Sequence, residues 1–127
     1  MIDLRDVENI HNIPIERFGG SKGIRDKGIL ESAIHRPFQT FDQKGLYPTN
    51  VEKAAAIFES IISNHPFIDG NKRTAYVLMR LILLEGELDI AANENEKYNF
   101  IIAAAKGELK FDKIKDWVVH HCSPTNT

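Results

Sequence analysis

The stretch HPFIDGNKRTA, residues 65 to 75, places a histidine, a carboxylate and two cations within a few positions of one another. His65 is a candidate general base, because a neutral imidazole can accept the proton of an attacking hydroxyl group. Asp69 is a candidate ligand for Mg²⁺, which usually takes one or two protein carboxylates and completes its shell with phosphate oxygens and water. Together these residue types are typical of phosphoryl chemistry.

The positions that follow, GNKR at 70 to 73, are typical of an anion cradle. Gly70 lets the backbone approach a ligand closely, and Asn71 can donate an amide hydrogen bond. Lys72 and Arg73 carry charges that neutralise phosphate oxygens. A helix that begins here adds unpaired backbone N–H groups and the positive end of its dipole. The predicted guest is therefore a phosphate.

Each of these assignments has an ordinary structural alternative. Asp69 could only cap a helix, and Lys72 and Arg73 could be solvated side chains of its first turn. His65 could be a hydrogen-bonded residue at a helix end. Phe67 is different, because an aromatic residue inside a polar loop is expected to anchor that loop in the core. The functional interpretation depends on the combination of residues.

Two helices must position this stretch. Pro66 disfavours a helical backbone at His65, so a helix over about residues 50–64 is expected to end there. Thr49 and Glu52 resemble a capping box at its start.

The second of these helices is expected to begin at Gly70 or Asn71 and to run to about Glu85. It carries the longest apolar run of the chain, AYVLMRLILL. The sequence therefore predicts a tight helix-loop-helix corner with the polar stretch at the turn.

The rest of the chain has helical periodicity and no convincing alternation of period two. Pro14 is expected to kink or shorten the first helix, which ends at the glycines of FGG. Pro37 is expected to stop the second helix. The last two helices are predicted over about residues 94–106 and around Trp117. The predicted caps of the first, second and fifth helices are Asp3, Asp26 and Asn93.

The composition favours one globular domain, predicted over residues 1–122 with a frayed tail at 123–127. The 127 residues carry a net charge of −2, which gives no basic footprint for direct nucleic-acid binding. No apolar run approaches the roughly 20 residues that a membrane helix requires, and no signal peptide is apparent. The single cysteine, Cys122, excludes an internal disulfide and fits a cytoplasmic protein.

Other candidate motifs carry little weight. GGSKGIRDKG lacks the ending of a phosphate-binding P-loop and is expected to form a turn between helices. HHC at 120 to 122 puts neighbouring residues on different helix faces, so a zinc site is not expected. Cys122 has no partner that would make it a nucleophile.

The nine residues HPFIDGNKR resemble the signature of the Fic/Doc family, which reads approximately H-P-F-x-[DE]-G-N-G-R-x-x-R. The match runs from His65 through Arg73 with one exception. A motif of this length is far more specific than a lone glycine-rich loop. The upstream segment RFGGSKGIRDKGILESAI, residues 17 to 34, is similar to the leader of the family's Doc (death-on-curing) branch, whose short length the chain also matches. The resemblance covers most of the chain.

The resemblance implies an all-α fold, a compact helical bundle with the signature loop between two central helices. It also implies transfer of part of a nucleotide to a protein hydroxyl group, with ATP and Mg²⁺ as cofactors. Carried over by position, His65 is the general base, Asp69 the magnesium ligand and Arg73 the phosphate-binding cation of the catalytic set. The nucleotide-binding loop then comprises Gly70, Asn71, Lys72 and Arg73.

Two departures from the signature bear on the reaction. Lys72 replaces its second glycine, and Tyr76 replaces its second arginine. Typical Fic enzymes transfer AMP to the hydroxyl group, whereas the Doc branch shares the NKR form and transfers the γ-phosphoryl group, as a kinase does. Lys72 therefore favours a kinase. The alternatives are an AMP-transferring Fic enzyme and a catalytically silent protein that acts by binding its antitoxin.

The resemblance also implies partners. The known substrate of the Doc branch is elongation factor Tu, modified on a threonine, which arrests translation. Residues 38 to 48, read as a loop or a short irregular hairpin, resemble the family's flap, which aligns the target segment. The inhibitory pattern [ST]-x-x-x-E-[GN] of many Fic proteins is not found; Leu81 to Gly86 has only its ending. A separate antitoxin chain that folds on binding is expected to supply inhibition.

Overall fold

The computed structural model describes residues 2–125 of the chain. In this part of the chain six α-helices form, with bounds α1 Leu4–Phe18, α2 Lys27–His35, α3 Asn50–Asn64, α4 Asn71–Glu85, α5 Glu94–Ala105 and α6 Phe111–His121. A 3₁₀ turn, Arg36–Phe38, follows α2. The predicted all-α class and compact bundle are confirmed. None of the helices described is long and apolar enough to cross a membrane.

The helices α3 and α4 pack against each other at the centre of the bundle. Both bury an apolar face, and together they contribute the largest share of the core: Ala54, Ala55, Phe58 and Ile61 from α3, and Ala75, Leu78, Met79 and Ile82 from α4. Burying one such aliphatic or aromatic side chain contributes roughly 1.5–3 kcal/mol. The corner that joins the two helices is therefore attached to the most firmly packed pair in the molecule.

The helices begin where their capping residues predict. The side chains of Asp3, Asp26, Thr49 and Asn93 each accept a hydrogen bond from the backbone N–H three residues further on. The helix α1 ends at Phe18, where the glycines of FGG predict, and Pro14 does not shorten it. Ile15, the residue after this proline, is buried, and its packing holds the last turn of the helix in place.

The segment predicted as a flap forms a short hairpin, the second of the two alternatives. The strands β1 Thr40–Phe41 and β2 Lys44–Gly45 are antiparallel. Asp42 and Gln43 join them, both with left-handed backbone (φ 52° and 66°). A two-residue turn of this conformation matches the natural twist of paired strands.

A second antiparallel pair of strands joins two parts of the chain that are distant in sequence. The strand β3 Leu88–Ile90 is antiparallel to β4 Cys122–Pro124, and the N–H of Thr125 donates to the carbonyl oxygen of Glu87 (2.9 Å). This pairing corrects the predicted fraying at 123–125, because β3 satisfies backbone groups that a frayed tail would leave to solvent. Residues 126 and 127 of that tail lie outside the described residues, and the single-domain organisation stays a prediction.

Candidate active site

His65 lies at the corner between α3 and α4, as the residue that ends α3. Its backbone is left-handed (φ 51°, ψ 60°), and its N–H donates to the carbonyl oxygen of Ile61 (3.1 Å). Pro66 accounts for this conformation, because proline disfavours a right-handed helical backbone in the residue before it. The side chain of His65 is exposed, so a hydroxyl group can reach the imidazole.

Arg25 holds this left-handed turn in place. Its Nε donates to the carbonyl oxygen of His65 (2.6 Å), and its Nη2 donates to that of Asn64 (2.7 Å). The last carbonyl groups of a helix lack intrahelical partners and carry the negative end of the dipole, so a guanidinium is well matched to them. This role of Arg25 was not predicted from the sequence.

Phe67 and Asn71 brace the loop from within. Phe67 is 1% exposed, which confirms it as the core anchor. The Oδ1 atom of Asn71 accepts a hydrogen bond from the N–H of Phe67 (3.0 Å), and its Nδ2 donates to the carbonyl oxygen of Phe67 (2.9 Å). The buried amide therefore ties the loop together. Donation from Asn71 to a ligand stays a prediction.

The Asp69 carboxylate is exposed and is oriented by two backbone donors. The N–H of Gly70 donates to Oδ1 (2.8 Å), and the N–H of Ser21 donates to Oδ2 (3.2 Å). These hydrogen bonds, Ser21 first, lower the pKa of Asp69 below its usual value of 3.8, and Arg73 adds to the effect. Asp69 is thus an ionised, oriented carboxylate at neutral pH. It does not cap α4, which has no side-chain cap.

The first turn of α4 presents the groups expected of an anion cradle. Gly70 precedes the helix with a left-handed backbone (φ 74°), and a Cβ there would lie 3.4 Å from both Arg73 Nη2 and His11 Nε2. The N–H groups of the first three residues of α4 have no intrahelical partners, and no side chain caps them. Lys72 and Arg73 are exposed beside them. Backbone donors and two cations therefore converge on one patch.

A groove of ≈ 420 Å³ runs from this patch between α4 and α5. Lys72 and Arg73 stand at its near end, and its walls include Tyr76, Val77, Tyr98 and Ile101. Burial raises the pKa of Tyr76, so its phenol is protonated at neutral pH and can donate a hydrogen bond. Tyr76 thus puts a neutral donor where the signature has an arginine.

The segment that joins α1 to α2 supports the loop along its edge. Ile24 and Phe67 form an antiparallel bridge, and the N–H of Ile68 donates to the carbonyl oxygen of Gly23 (3.1 Å). A Cβ on Gly20 would lie 2.9 Å from Asp69 Oδ2, so Gly20 makes room for the carboxylate. The segment was expected to be only a turn; its similarity to the Doc leader was the signal that could have predicted more.

The donor set fits a magnesium ion that is held mainly by a nucleotide. Within residues 2–125, no three His, Cys, Asp or Glu side chains cluster as a metal site. Mg²⁺ does not require such a cluster when phosphate oxygens and water supply the remaining ligands. The ionised Asp69, next to the anion cradle, is suited to be the protein's ligand to such an ion.

The part of the chain that contains this corner matches a known protein family. Residues 1–83, which include α1, α2, α3 and most of α4, match the Fic/DOC family. The chain belongs to the Fic/DOC family. Among curated proteins it is similar to "Toxin Doc" of Mycolicibacterium smegmatis (strain ATCC 700084 / mc(2)155), with 36% identity over 93 residues that cover 73% of this chain and 72% of that protein. The resemblance read from the signature is confirmed at the level of the family.

The part of the chain that matches the Fic/DOC family contains every predicted site residue. It also contains Arg25 and the segment that supports the loop. The groove wall that α5 supplies lies beyond residue 83. The corner therefore lies within the part of the chain that matches the family, whereas Tyr98 and Ile101 lie beyond that match.

Proposed function

We propose that this Fic/DOC protein is a toxin that transfers the γ-phosphoryl group of ATP to a hydroxyl group of a protein. One observation carries the proposal: a single braced corner presents an exposed histidine, an ionised carboxylate and an anion cradle together. His65 lies at one end of this corner, Asp69 at its middle and Arg73 in the first turn of α4. Phosphoryl transfer depends mainly on such positioning and charge stabilisation.

In the proposed reaction, the oxygen of the acceptor hydroxyl attacks the γ-phosphorus. The bond between that phosphorus and the oxygen bridging to the β-phosphate breaks, and ADP leaves with the electron pair. His65 accepts the proton of the hydroxyl group. The first-turn N–H groups of α4, with Lys72 and Arg73, stabilise the charge that develops on the phosphate oxygens.

ATP and Mg²⁺ are the proposed cofactors. The α4–α5 groove supports a nucleotide, because apolar and aromatic walls suit a nucleoside while the cations at its near end suit phosphates. Asp69 would hold the magnesium ion. When bound, the ion neutralises phosphate charge and orients the triphosphate.

Lys72 and Tyr76 support γ-phosphoryl transfer over AMP transfer. Both change the phosphate site relative to the signature: Lys72 adds a long cation beside the cradle, and Tyr76 removes a guanidinium. A triphosphate held differently can present its terminal phosphorus to the acceptor. The variant Lys72→Gly tests this account, and unchanged γ-phosphoryl transfer in that variant would contradict it.

The proposed acceptor is a threonine of elongation factor Tu, so the proposed effect is arrest of translation in the cytoplasm. The curated relative named "Toxin Doc" supports a toxin. The flap, with its exposed strand edges, supports an extended acceptor segment, because such edges pair with added strands.

The decisive experiment supplies the purified protein with Mg²⁺, elongation factor Tu and ATP labelled at either the α- or the γ-phosphate. His65→Ala is run alongside, with His35→Ala, an exposed histidine of α2, as the matched control. We expect label from the γ position alone, lost in His65→Ala and retained in His35→Ala.

The other outcomes are equally informative. Label from the α position would assign the protein to the AMP-transferring enzymes. No transfer from either position, also with whole lysate as acceptor, would favour a silent protein that acts by binding.

A separate antitoxin chain is the proposed inhibitor. We expect expression of the chain alone to stop growth, and expression of His65→Ala to leave growth unchanged. Growth that continues with the active chain alone would contradict both the toxin and the need for an inhibitor.

A further inference from the structure

His11, on α1, is a histidine in the core of a helical protein. It is 2% exposed, and its imidazole stacks on the ring of Phe67 with centroids 3.9 Å apart and planes 6° from parallel. Its Nε2 atom lies 2.5 Å from the carbonyl oxygen of Asp69, 58 residues away in the chain. A leucine or phenylalanine would fill this space without the polar contact. The presence of a buried imidazole at this position therefore needs an explanation.

The direction of this hydrogen bond is determined by chemistry. The carbonyl oxygen of Asp69 can only accept, so His11 must carry a proton on Nε2 and donate it. The stacking on Phe67 holds the ring in the plane that aims this N–H at the loop. Phe67 is itself hydrogen-bonded to Asn71, so His11 contacts the most tightly braced part of the corner.

The peptide bond between Asp69 and Gly70 is the group that His11 holds. Its carbonyl points inward to His11, and its N–H points to the Asp69 carboxylate at 2.8 Å. Gly70 has a positive φ of 74°, and glycine tolerates the alternative peptide orientation at little cost. A flip of this peptide would turn the carbonyl oxygen toward the anion cradle and remove the N–H from the carboxylate.

We propose that His11 is a positioning residue that prevents this flip and so keeps the cradle and the Asp69 carboxylate aimed at the nucleotide. The inference rests on the proposed function, because aiming matters only if phosphate binds at the cradle. His11 touches neither substrate nor reacting atoms; it acts through the peptide at 69–70. The contact joins α1 to the corner, which explains why a polar group is retained in the core at this point.

Two variants separate the donor from the ring. His11→Phe keeps the stacking on Phe67 and removes the donor, whereas His11→Gln keeps an amide N–H near the position of Nε2. His35→Phe, at an exposed histidine of α2, is the control. Each variant is checked by circular dichroism and thermal unfolding, and γ-phosphoryl transfer is then measured over a range of ATP concentrations.

We expect His11→Phe to lower kcat/KM by roughly 10- to 100-fold, the usual loss when a residue that orients a ligand is removed. KM for ATP should rise as well as kcat fall. A smaller folded fraction alone would lower kcat and leave KM unchanged. A change in both constants therefore distinguishes misplaced phosphate-binding groups from a loss of stability. His11→Gln should recover most of the loss. Activity of His11→Phe within twofold of the parent, or equal loss in both variants, would overturn the proposal.

A readout independent of activity uses nitrogen NMR of the parent protein. We expect the imidazole of His11 to carry its proton on Nε2. The chemical shift of the Gly70 amide should change in His11→Phe and return toward the parent value in His11→Gln. A ring protonated only on Nδ1 would overturn the inference even if the variants failed to fold. If the parent protein transferred no phosphate, the proposed function would fail, while these spectra would still decide whether His11 holds the peptide.

Discussion

The signature corner, residues 65–73, and the flap, residues 38–48, are held in place in opposite ways. The corner is braced from within by Asn71, along its edge by the segment at 20–26, and from α1 by His11. The flap at 38–48 pairs mainly with itself through two strands of two residues each, and most of its residues are exposed.

The flap is nevertheless attached at its base. Arg36 donates to the Tyr47 hydroxyl (3.0 Å) and to Glu59 (2.9 Å). Its tip has no such support, and Phe41 is 76% exposed. The contrast fits the proposed function, in which the corner positions phosphate within a small tolerance and the flap adapts to an acceptor segment.

Removing the brace inside the corner should have the largest effect. Asn71→Ala leaves the buried N–H and C=O of Phe67 without partners, which costs roughly 1–3 kcal/mol in the free energy of unfolding. We also expect γ-phosphoryl transfer to fall about 100-fold, since small misplacements at a reacting centre cost that much. Urea denaturation and initial rates measure both. Asn64→Ala, at an exposed position next to the corner, is the control, and an equal effect there would remove the special role of Asn71.

Arg25→Ala should have a smaller effect, because its guanidinium is exposed. Loss of the two bonds to the end of α3 should cost about 1 kcal/mol and loosen the left-handed turn at His65. Transfer should fall about tenfold. The transfer rate of Arg25→Lys should lie between those of the parent and Arg25→Ala, since an ammonium lacks the fork that binds both carbonyl groups. Arg5→Ala, also exposed, controls for lost charge; a rate equal to that of Arg25→Ala would contradict a role at the corner.

A change at the flap tip should leave both stability and ATP use intact. Phe41→Ser should shift the free energy of unfolding by no more than about 0.5 kcal/mol, as is usual for exposed sites. KM for the protein acceptor should rise several-fold while KM for ATP stays constant. Val119→Ser, at another exposed apolar residue, is the matched control. A change in KM for ATP with Phe41→Ser would mean that the flap serves the nucleotide.

The smallest effect concerns acid stability of the metal-free protein. The pKa of Asp69 is lowered in the folded state, so its ionised form contributes stability that is present above the unfolded value of 3.8 and is lost as pH falls through the folded value. The variant Asp69→Asn should not show this loss of stability on acidification. Thermal unfolding from about pH 5 to about pH 2 measures the difference, with Asp42→Asn of the flap as control. Parallel curves for parent and Asp69→Asn would contradict the orientation of this carboxylate.

Much of the fold could be predicted from the sequence because its signals are local. Caps such as Thr49 and Asn93 act on N–H groups three residues away, and Pro66 acts on the residue before it. The bounds of α3 and α4 and the position of the corner follow from such signals. The end of α1 at Phe18 also follows from a local signal, the glycines of FGG.

The site residues divide in the same way. The types and spacing of His65, Asp69 and Arg73 predict a phosphate site, since each acts through its own side chain. The structure brings these residues to one corner, and phosphate binding there stays a prediction. The bracing role of Asn71 was not predicted, because an amide suits a ligand and a backbone equally well, and only the structure shows its side chain bound to the backbone of Phe67.

The sequence by itself thus determined which chemical groups lie at the corner and where the helices on either side begin and end. It also determined which family the chain resembles. Only the tertiary structure decided how the corner is held. His11 reaches Asp69 across 58 residues, and Arg25 reaches His65 across 40. Such contacts depend on how α1 and its following segment pack against α3 and α4, and no local pattern in a single sequence encodes that packing.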